Sequence, residues 1–432
     1  MPDRPNILFM ICHDLGRHLC CYGVDTVDSP SIDSLAAGGV RFANSFCTAP
    51  QCSPSRASIF TGRYPHNNGV MGLCHADFAW DLYPAERHLA GILREAGYHT
   101  ALIGHQHERR QPSEHDFAEI SAPGFCEKVA GRSVEHLRAV ADGDQPFYMQ
   151  IGFIEPHRKF DIGGATPDNS KGVTVPDYLV DDDSARAEFA GYQGAIRKMD
   201  AAVGTILESL DTLGLRENTI TIFTSDHGIP FPRAKCSLYD PGLAVPFMIR
   251  WPRGGWTGGR AQEELISNID YVPTLLDALG IPVADDVQGR SFLGLLNGRS
   301  YQPRPEIFGE MTYHDYCDPR RCIRTENHKL IANFTMAPFF MDPSQSWRRA
   351  TITKHPQDPP CAYHPSIELY DISKDRLEFA DLAGAPEYAG VQKDLMRRLM
   401  SWMKETADPL LEGIPNSPMH DRTIEALRTA LE

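Results

Sequence analysis

The run TITIFTSD, residues 219–226, reads as a strand buried on both faces, the texture a parallel sheet requires, and it ends on an acid. Three other runs share that texture: ILFMIC at 7–12, TALIG at 100–104 and FYMQIGFI at 147–154. Helical patterns lie between them. The clearest, EFAGYQGAIRKMDAAVGTILESLDTLG at 188–214, repeats apolar residues at three- and four-residue spacing until Gly214 ends it. Strands alternating with helices predict an α/β fold, a large mixed and mostly parallel sheet sandwiched between helices. From about residue 313 the texture changes to short strand candidates, HKLIANF and IELYDIS, and a helix near 387–406. An α/β domain over 1–312 and a smaller C-terminal α+β domain over 313–432, a short antiparallel sheet plus helix, are therefore expected.

In open α/β sheets, ligands sit beyond the carboxyl ends of the strands. Asp14 follows the first strand, His105 and His107 the second, His157 the third, and Asp226 and His227 the fourth. One ionisable group at a strand end is ordinary; four strands ending this way predict a built site.

The 432 residues carry 57 acidic and 42 basic side chains, a net charge of −15, which argues against a nucleic-acid partner. With 42% hydrophobic residues the chain can bury a core. An acidic protein that handles an anion must gather its basic groups locally. Eleven cysteines at irregular spacing form no disulfide framework, and Cys317 and Cys322 are not a CxxC pair. The apolar run in MPDRPNILFMICHD is too short for a secretory leader or a bilayer span. A cytoplasmic protein with reduced cysteines and no membrane partner is expected.

The segment CSPSRASIFTGRYPHNNG, 52–69, is the richest in chemistry. Pro54 lies near a helix start, where its missing N–H costs nothing. Cys52 would then sit at a helix N-terminus, where free amides and the dipole favour an anion. Arg56, one turn on, can offer a bidentate fork to a tetrahedral oxyanion.

Cys52-Ser53-Pro54-Ser55-Arg56 with Thr61-Gly62-Arg63 resembles the signature of the type I sulfatases of the alkaline-phosphatase superfamily, whose cysteine is oxidised to formylglycine (3-oxoalanine). Gly97 to His107, GYHTALIGHQH, resembles the second family signature, with His105 where the usual form has Lys. Asp14, Ser225-Asp226-His227-Gly228 and Glu368-Leu369-Tyr370-Asp371 also fit, in the family's order over roughly residues 5–400. The heparan N-sulfatases (sulfamidases) look most similar. Met71-Gly72-Leu73-Cys74-His75-Ala76-Asp77, Pro156-His157-Arg158 and FTSDHGIPFP at 223–232 carry that likeness.

The resemblance implies hydrolysis of a sulfate ester or sulfamate on a small substrate. Hydrated formylglycine would attack sulfur with one hydroxyl and expel sulfate by deprotonating the other. It also implies a maturation enzyme that converts Cys52, and one divalent metal held by His13, Asp14, residue 52, Asp226 and His227. Relatives of the sulfamidase type usually have Asp at the position of His13 and Asn at that of His227. The imidazoles tilt the preference from Ca²⁺ towards Mn²⁺, and both stay open. Arg56 and Lys235 are expected to bracket the sulfate, with Arg233 a substitute for Lys235. His107 would take the proton of the diol and His157 would protonate the leaving atom. His105, in place of lysine, is expected to carry partial charge near neutral pH.

The Asp226-His227 pair keeps a phosphonate monoester or phosphodiester substrate as the alternative, and a degenerate, non-catalytic binding protein is the third reading. Asp181-Asp182-Asp183 reads as a solvated loop or helix start; Met336 to Met341 reads as ordinary structure, with a substrate contact from the small domain as the alternative. Segment 418–432 reads as an amphipathic helix, which leaves a homo-oligomer open.

Overall fold

The computed structural model describes residues 4–337 and 363–430. Eight strands form the large sheet: β1 (Asn6–Cys12), β2 (Val40–Phe46), β3 (His99–Gly104), β4 (Glu119–Ile120), β5 (Phe147–Gly152), β6 (Thr219–Ser225), β7 (Phe247–Arg250) and β8 (Arg260–Ser267). Their spatial order is β4-β3-β5-β1-β6-β7-β2-β8. The central group β3, β5, β1 and β6 is parallel throughout, and β7 runs antiparallel to both neighbours. A second, antiparallel sheet holds β9 (Glu306–Tyr313), β10 (Cys317–Thr325), β11 (His328–Asn333) and β12 (Ile367–Asp371).

The helices are α1 (Pro30–Gly38), α2 (Cys52–Thr61), α3 (Pro65–Asn68), α4 (Leu89–Glu95), α5 (Cys126–Val140) and α6 (Asp183–Thr212). After them come α7 (Asp240–Leu243), α8 (Tyr271–Ala278), α9 (Leu293–Leu296), α10 (Ala389–Glu405) and α11 (Pro418–Thr429). None is long and apolar enough to cross a membrane among the described residues.

Strand β1 shows why its pattern is continuous rather than alternating. Leu8, Met10 and Cys12 face a layer built by α5 and α6, including Val129, Leu137, Phe189, Ile196 and Met199. Ile7, Phe9 and Ile11 face the opposite layer, with Ile59 and Phe60 of α2, Leu93 of α4 and Val272 of α8. Each such side chain, fully buried, contributes roughly 1.5–3 kcal/mol. The second sheet packs Ile323, Leu330 and Leu369 against Leu395, Leu399 and Trp402 of α10.

The four strands expected from their runs are β1, β3, β5 and β6. Helix α6 starts earlier than the apolar period suggests, because the Asp182 carboxylate caps it, accepting from Ala185 N at 2.8 Å. The boundary expected at 312–313 falls at the end of β9 rather than ahead of it. Gly309 and Glu310 interrupt the apolar pattern of that strand. Strand β10 escapes a hydrophobicity reading because it buries arginines. Arg321 Nη2 stands 3.0 Å from Asp408 Oδ1, deep under α10. Of the Met336–Met341 stretch, residues 338–341 lie outside the described residues.

Glu368 on β12 is wholly enclosed. It accepts hydrogen bonds from Tyr239 (2.8 Å), Tyr370 (2.6 Å), Asn333 (2.8 Å) and the His364 ring (2.9 Å). Burial alone would raise its pKa, but His364, Tyr370 and Asn333 bring it down to about 2. A depressed carboxyl stabilises the fold above its unfolded value of about 4.3 and loses that stabilisation as pH falls towards the folded value. Over two pH units this amounts to roughly 3 kcal/mol. Urea unfolding is expected to show Glu368→Gln destabilised at pH 7 by about that amount, with the difference from wild type closing near pH 2.

Candidate active site

Parallel neighbours put the carboxyl ends of β3, β5, β1 and β6 on one edge, so His105, His157, Asp14 and Asp226 meet there. Asp14 leaves β1 with φ +53°, a left-handed conformation that aspartate tolerates better than most residues. Tyr192 of α6 holds it, donating to the Asp14 carbonyl at 2.7 Å. Asp226 Oδ1 accepts from the backbone N–H of Asp14 (3.0 Å) and of His227 (2.9 Å). Both carboxylates have no solvent exposure.

Two buried carboxylates this close need cations, since each unpaired ion costs several kcal/mol to desolvate. Arg56 Nε stands 3.0 Å from Asp226 Oδ2. Lys235 Nζ lies 3.0 Å from each Asp14 oxygen. His13 Nδ1 is 3.0 Å from Asp226 Oδ2 and 3.3 Å from Asp14 Oδ1. His227 Nε2 is 3.1 Å from Asp14 Oδ1 and 3.4 Å from Cys52 Sγ. Burial would raise the Asp14 pKa, but Lys235, His157 and His227 hold it well below the usual carboxylate range. Burial opposes charge on His227, and the two carboxylates overcome it, raising its pKa to about 10.

The donor atoms of His13, Asp14, Cys52, Asp226 and His227 all lie within 4.8 Å of one another, the span of one cation's ligand sphere. His227 Nδ1 faces the Gly228 carbonyl at 3.0 Å, so Nδ1 keeps a proton and Nε2, which faces Asp14 and Cys52, is the nitrogen that would hold a cation once deprotonated. Two carboxylates with two imidazoles fit a divalent cation.

Helix α2 is buried along its whole length, and Cys52 is its first residue. Its serines answer the site's backbone: Ser55 Oγ donates to the Asp226 carbonyl, and Ser53 Oγ accepts from Cys74 N at 3.1 Å. Burial alone would raise the Cys52 thiol pKa, but Lys235, His13 and His227 hold it well below the ordinary value. Above it opens a cavity of about 230 Å³ lined by Asp14, Cys52, His107, His157 and Lys235.

Arg56 does not line this cavity. It is wholly enclosed behind it: Nε meets Asp226 and Nη2 the Cys12 carbonyl (3.1 Å), while Nη1 is buried with no partner among the described residues. Burial, His13 and Arg56 lower the His105 pKa well below the ordinary value, and its Nε2 contacts His13 Nε2 at 3.1 Å. Arg233 does not stand in for Lys235; it donates to the carbonyls of Leu377 (3.0 Å) and Glu378 (2.9 Å). His107 is half-buried and its Nε2 lies 2.7 Å from His75 Nδ1, and His157 lies at the cavity mouth with its side chain 36% exposed.

His75, His314 and Asp315 also line the cavity and were not expected there as site residues. His75 was in view within the Met71–Asp77 run. His314 and Asp315 follow β9 and arrive from the second sheet, so no local motif announces them. That sheet is stitched to the nucleophile segment by Glu310 N to Thr48 O (2.7 Å) and by Gln51 Nε2 to Tyr313 O (2.9 Å).

The strand ends meet only because glycines let backbones touch. A Cβ on Gly152 would lie 1.6 Å from the His105 carbonyl oxygen. Gly131 on α5 has nothing within 4 Å of the same position. Gly152→Ala is expected to lower stability by about 1–3 kcal/mol through overpacking. Gly131→Ala is expected to raise it by about 0.5–1 kcal/mol, both read in urea melts.

The sulfatase family model matches residues 5–281. The model described as N-sulphoglucosamine sulphohydrolase, C-terminal, matches residues 231–356. The human N-sulphoglucosamine sulphohydrolase is 30% identical over 94% of this chain and 91% of its own. A solved structure of a protein in complex with its substrate D-glucosamine-2-N,6-O-disulfate superposes with a TM-score of 0.74 at 22% identity, covering 94% of this chain and 98% of the other. The phosphonate monoester hydrolase of Agrobacterium radiobacter shares the fold at a TM-score of 0.69 and 22% identity, covering 93% and 96%. With the family model running through Asp14, Cys52 and Asp226 and a second model continuing beyond it, the chain belongs to the sulfatase family, in its sulfamidase-like part.

Proposed function

We propose that the protein hydrolyses a sulfate ester or sulfamate on a small substrate. In this reading a maturation enzyme converts Cys52 to formylglycine, and His13, Asp14, residue 52, Asp226 and His227 hold one divalent cation, Ca²⁺ or Mn²⁺. One observation carries it. Cys52 opens a buried helix inside a small cavity, with His227 at 3.4 Å and with Asp14 and Lys235 in the same wall. When bound, the cation supplies Lewis acidity for a sulfuryl oxygen and acidifies the nucleophile. Formylglycine supplies, as its hydrate, the second hydroxyl that a serine or cysteine lacks.

The chain's own side chains do the rest. Lys235 Nζ is a fixed positive charge in the wall for the sulfuryl oxygens. Arg56 acts one layer back, keeping Asp226 ionised and oriented. His107, which interacts with the side chain of residue 52 and with His75, takes the hydroxyl proton. His105 packs on His13 and holds that ring in place. His157 faces the leaving atom. Burial lowers its pKa to about 4, and its Nδ1 meets the Arg158 carbonyl, so Nε2 is bare at rest. An anionic substrate raises its proton affinity and readies it to donate. A cytoplasmic site of action belongs to the reading and is supported by ten free cysteines among the described residues.

The Asp226-His227 pair favours a second reading, a phosphonate monoester or phosphodiester substrate at the same site. Matched kinetics on an aryl sulfate and an aryl phosphonate separate the two. The primary test is mass spectrometry of the Cys52 peptide after co-expression with a formylglycine-generating enzyme. An aldehyde in place of the thiol is expected, with turnover absent in Cys52→Ala. A persistent thiol in protein that still hydrolyses sulfates contradicts the mechanism.

A further inference from the structure

Among the described residues, three groups of histidine, cysteine and carboxylate side chains bring their donor atoms close enough to hold a metal ion. Two of them belong to the site already described. The third is His99, Glu119 and His136, whose donor atoms lie within 4.8 Å of one another. It stands at the opposite end of β3: His99 is the first residue of that strand, and His105 follows its last. At about 3.3 Å per residue the strand holds those two histidines about 20 Å apart.

Register explains the meeting. Strand β4 runs parallel to β3 with Glu119 opposite Ala101, and His99 shares the face of Ala101 because side chains alternate. On that face Ala101 and Ile103 pack in one cluster with Val129 and Leu137 of α5, and the same helix brings His136. Glu119 lies between the two rings, Oε1 at 3.1 Å from His99 Nε2 and Oε2 at 3.1 Å from His136 Nδ1. The rings stack with centroids 5.4 Å apart. The His136 side chain is only 7% exposed and its Nε2 is buried with no partner among the described residues, so Nδ1 is the nitrogen turned to Glu119. The Glu119 side chain is 59% exposed. A cavity of about 320 Å³ opens beside it, with His136, Glu135 and Arg132 also in its lining. The Arg132 guanidinium is engaged there, donating from Nη1 to the Ala122 carbonyl.

We propose that His99, Glu119 and His136 form a second divalent-cation site, one that takes Zn²⁺ rather than Ca²⁺ or Mg²⁺ and clamps the edge of the large sheet to α5. Tetrahedral Zn²⁺ holds imidazole nitrogen and carboxylate oxygen at about 2.0–2.2 Å, which sets neighbouring donors about 3.4 Å apart. Each Glu119 oxygen already stands near that spacing from a ring nitrogen, and the exposed carboxylate and the half-buried His99 ring are free to draw in. Two imidazoles suit a borderline transition metal, whereas calcium and magnesium take oxygen. The cavity leaves a fourth position to water. Strand β4 is two residues long and meets β3 over two register pairs, so a cation joining Glu119 to His99 and His136 would fasten an otherwise short edge. The site shares no residue with the cavity at Cys52 and does not depend on the sulfatase reading.

The test is calorimetric titration of Zn²⁺ into chelator-treated wild type, His136→Ala and Glu119→Gln, in all of which the ligand set around residue 52 is the same. Wild type is expected to show one more binding step than either variant, or the same step at an affinity at least about 10-fold higher, since even the loss of an outer-shell partner costs about 10- to 100-fold. The exposed, isosteric Glu119→Gln keeps the comparison valid if His136→Ala folds poorly. Excess Mg²⁺ should leave that step in place. At about 100 times its Kd, Zn²⁺ should raise the Tm of wild type by about 2–4 °C more than that of Glu119→Gln. Isotherms that coincide for wild type and Glu119→Gln, or a step abolished by Mg²⁺, overturn the site. Equal Tm shifts in the two proteins overturn the clamp.

Discussion

Asp14 and Asp226 are two carboxylates buried side by side with no exposure to water, and the rest of the molecule answers to that constraint. Each has its own permanent cation, Lys235 on one and Arg56 on the other, and His13 and His227 reach both. Removing one partner from such a cluster leaves a stranded buried ion, which costs far more than the pair returns when intact. The cluster is poor as a stabilising device and makes sense as a holder for something more strongly charged. The same groups that lower the Asp14 carboxyl also lower the thiol of Cys52, so thiol and carboxylates share one electrostatic arrangement.

The sheet supplies the rigidity that this arrangement needs. Four adjacent parallel strands end within reach of one another, their bodies buried on both faces, so the side chains beyond their ends inherit fixed positions. The contact of Gly152 with the His105 carbonyl shows how little room is left. Cys52 comes from elsewhere, on a helix whose serines are met by the Asp226 carbonyl, by Cys74 and by Asn268. The second sheet closes the cavity from outside with His314 and Asp315. The candidate site is thus built on the strand ends and α2, with residues of the second sheet outside it.

Strands β1, β3, β5 and β6 could be read directly because buried parallel strands are unbroken apolar runs, and their ends named Asp14, His105, His107, His157, Asp226 and His227. Cys52 and Arg56 were visible through their spacing. What could not be read was direction. Arg56 has the right spacing to clamp an anion, but it lies behind the cavity with Nε on Asp226 and Nη2 on the Cys12 carbonyl. His105 sits where a charge was expected, yet burial next to His13 and Arg56 lowers its pKa. Edge and antiparallel strands such as β10 were hidden by buried ion pairs that mimic surface polarity. Asp315 and His314 depend on how one sheet docks on the other, which no local pattern encodes.

The central claim is that the paired carboxylates with His13 and His227 form a site for one divalent cation. Elemental analysis by inductively coupled plasma mass spectrometry, on wild type and on Asp226→Asn purified side by side with intact circular dichroism, tests it most directly. The account predicts about one equivalent of a divalent metal per chain in wild type, its identity deciding between calcium and manganese, and loss of most of it in Asp226→Asn. Metal-free wild type that turns over sulfate at full rate, or Asp226→Asn that retains the full equivalent, would contradict it.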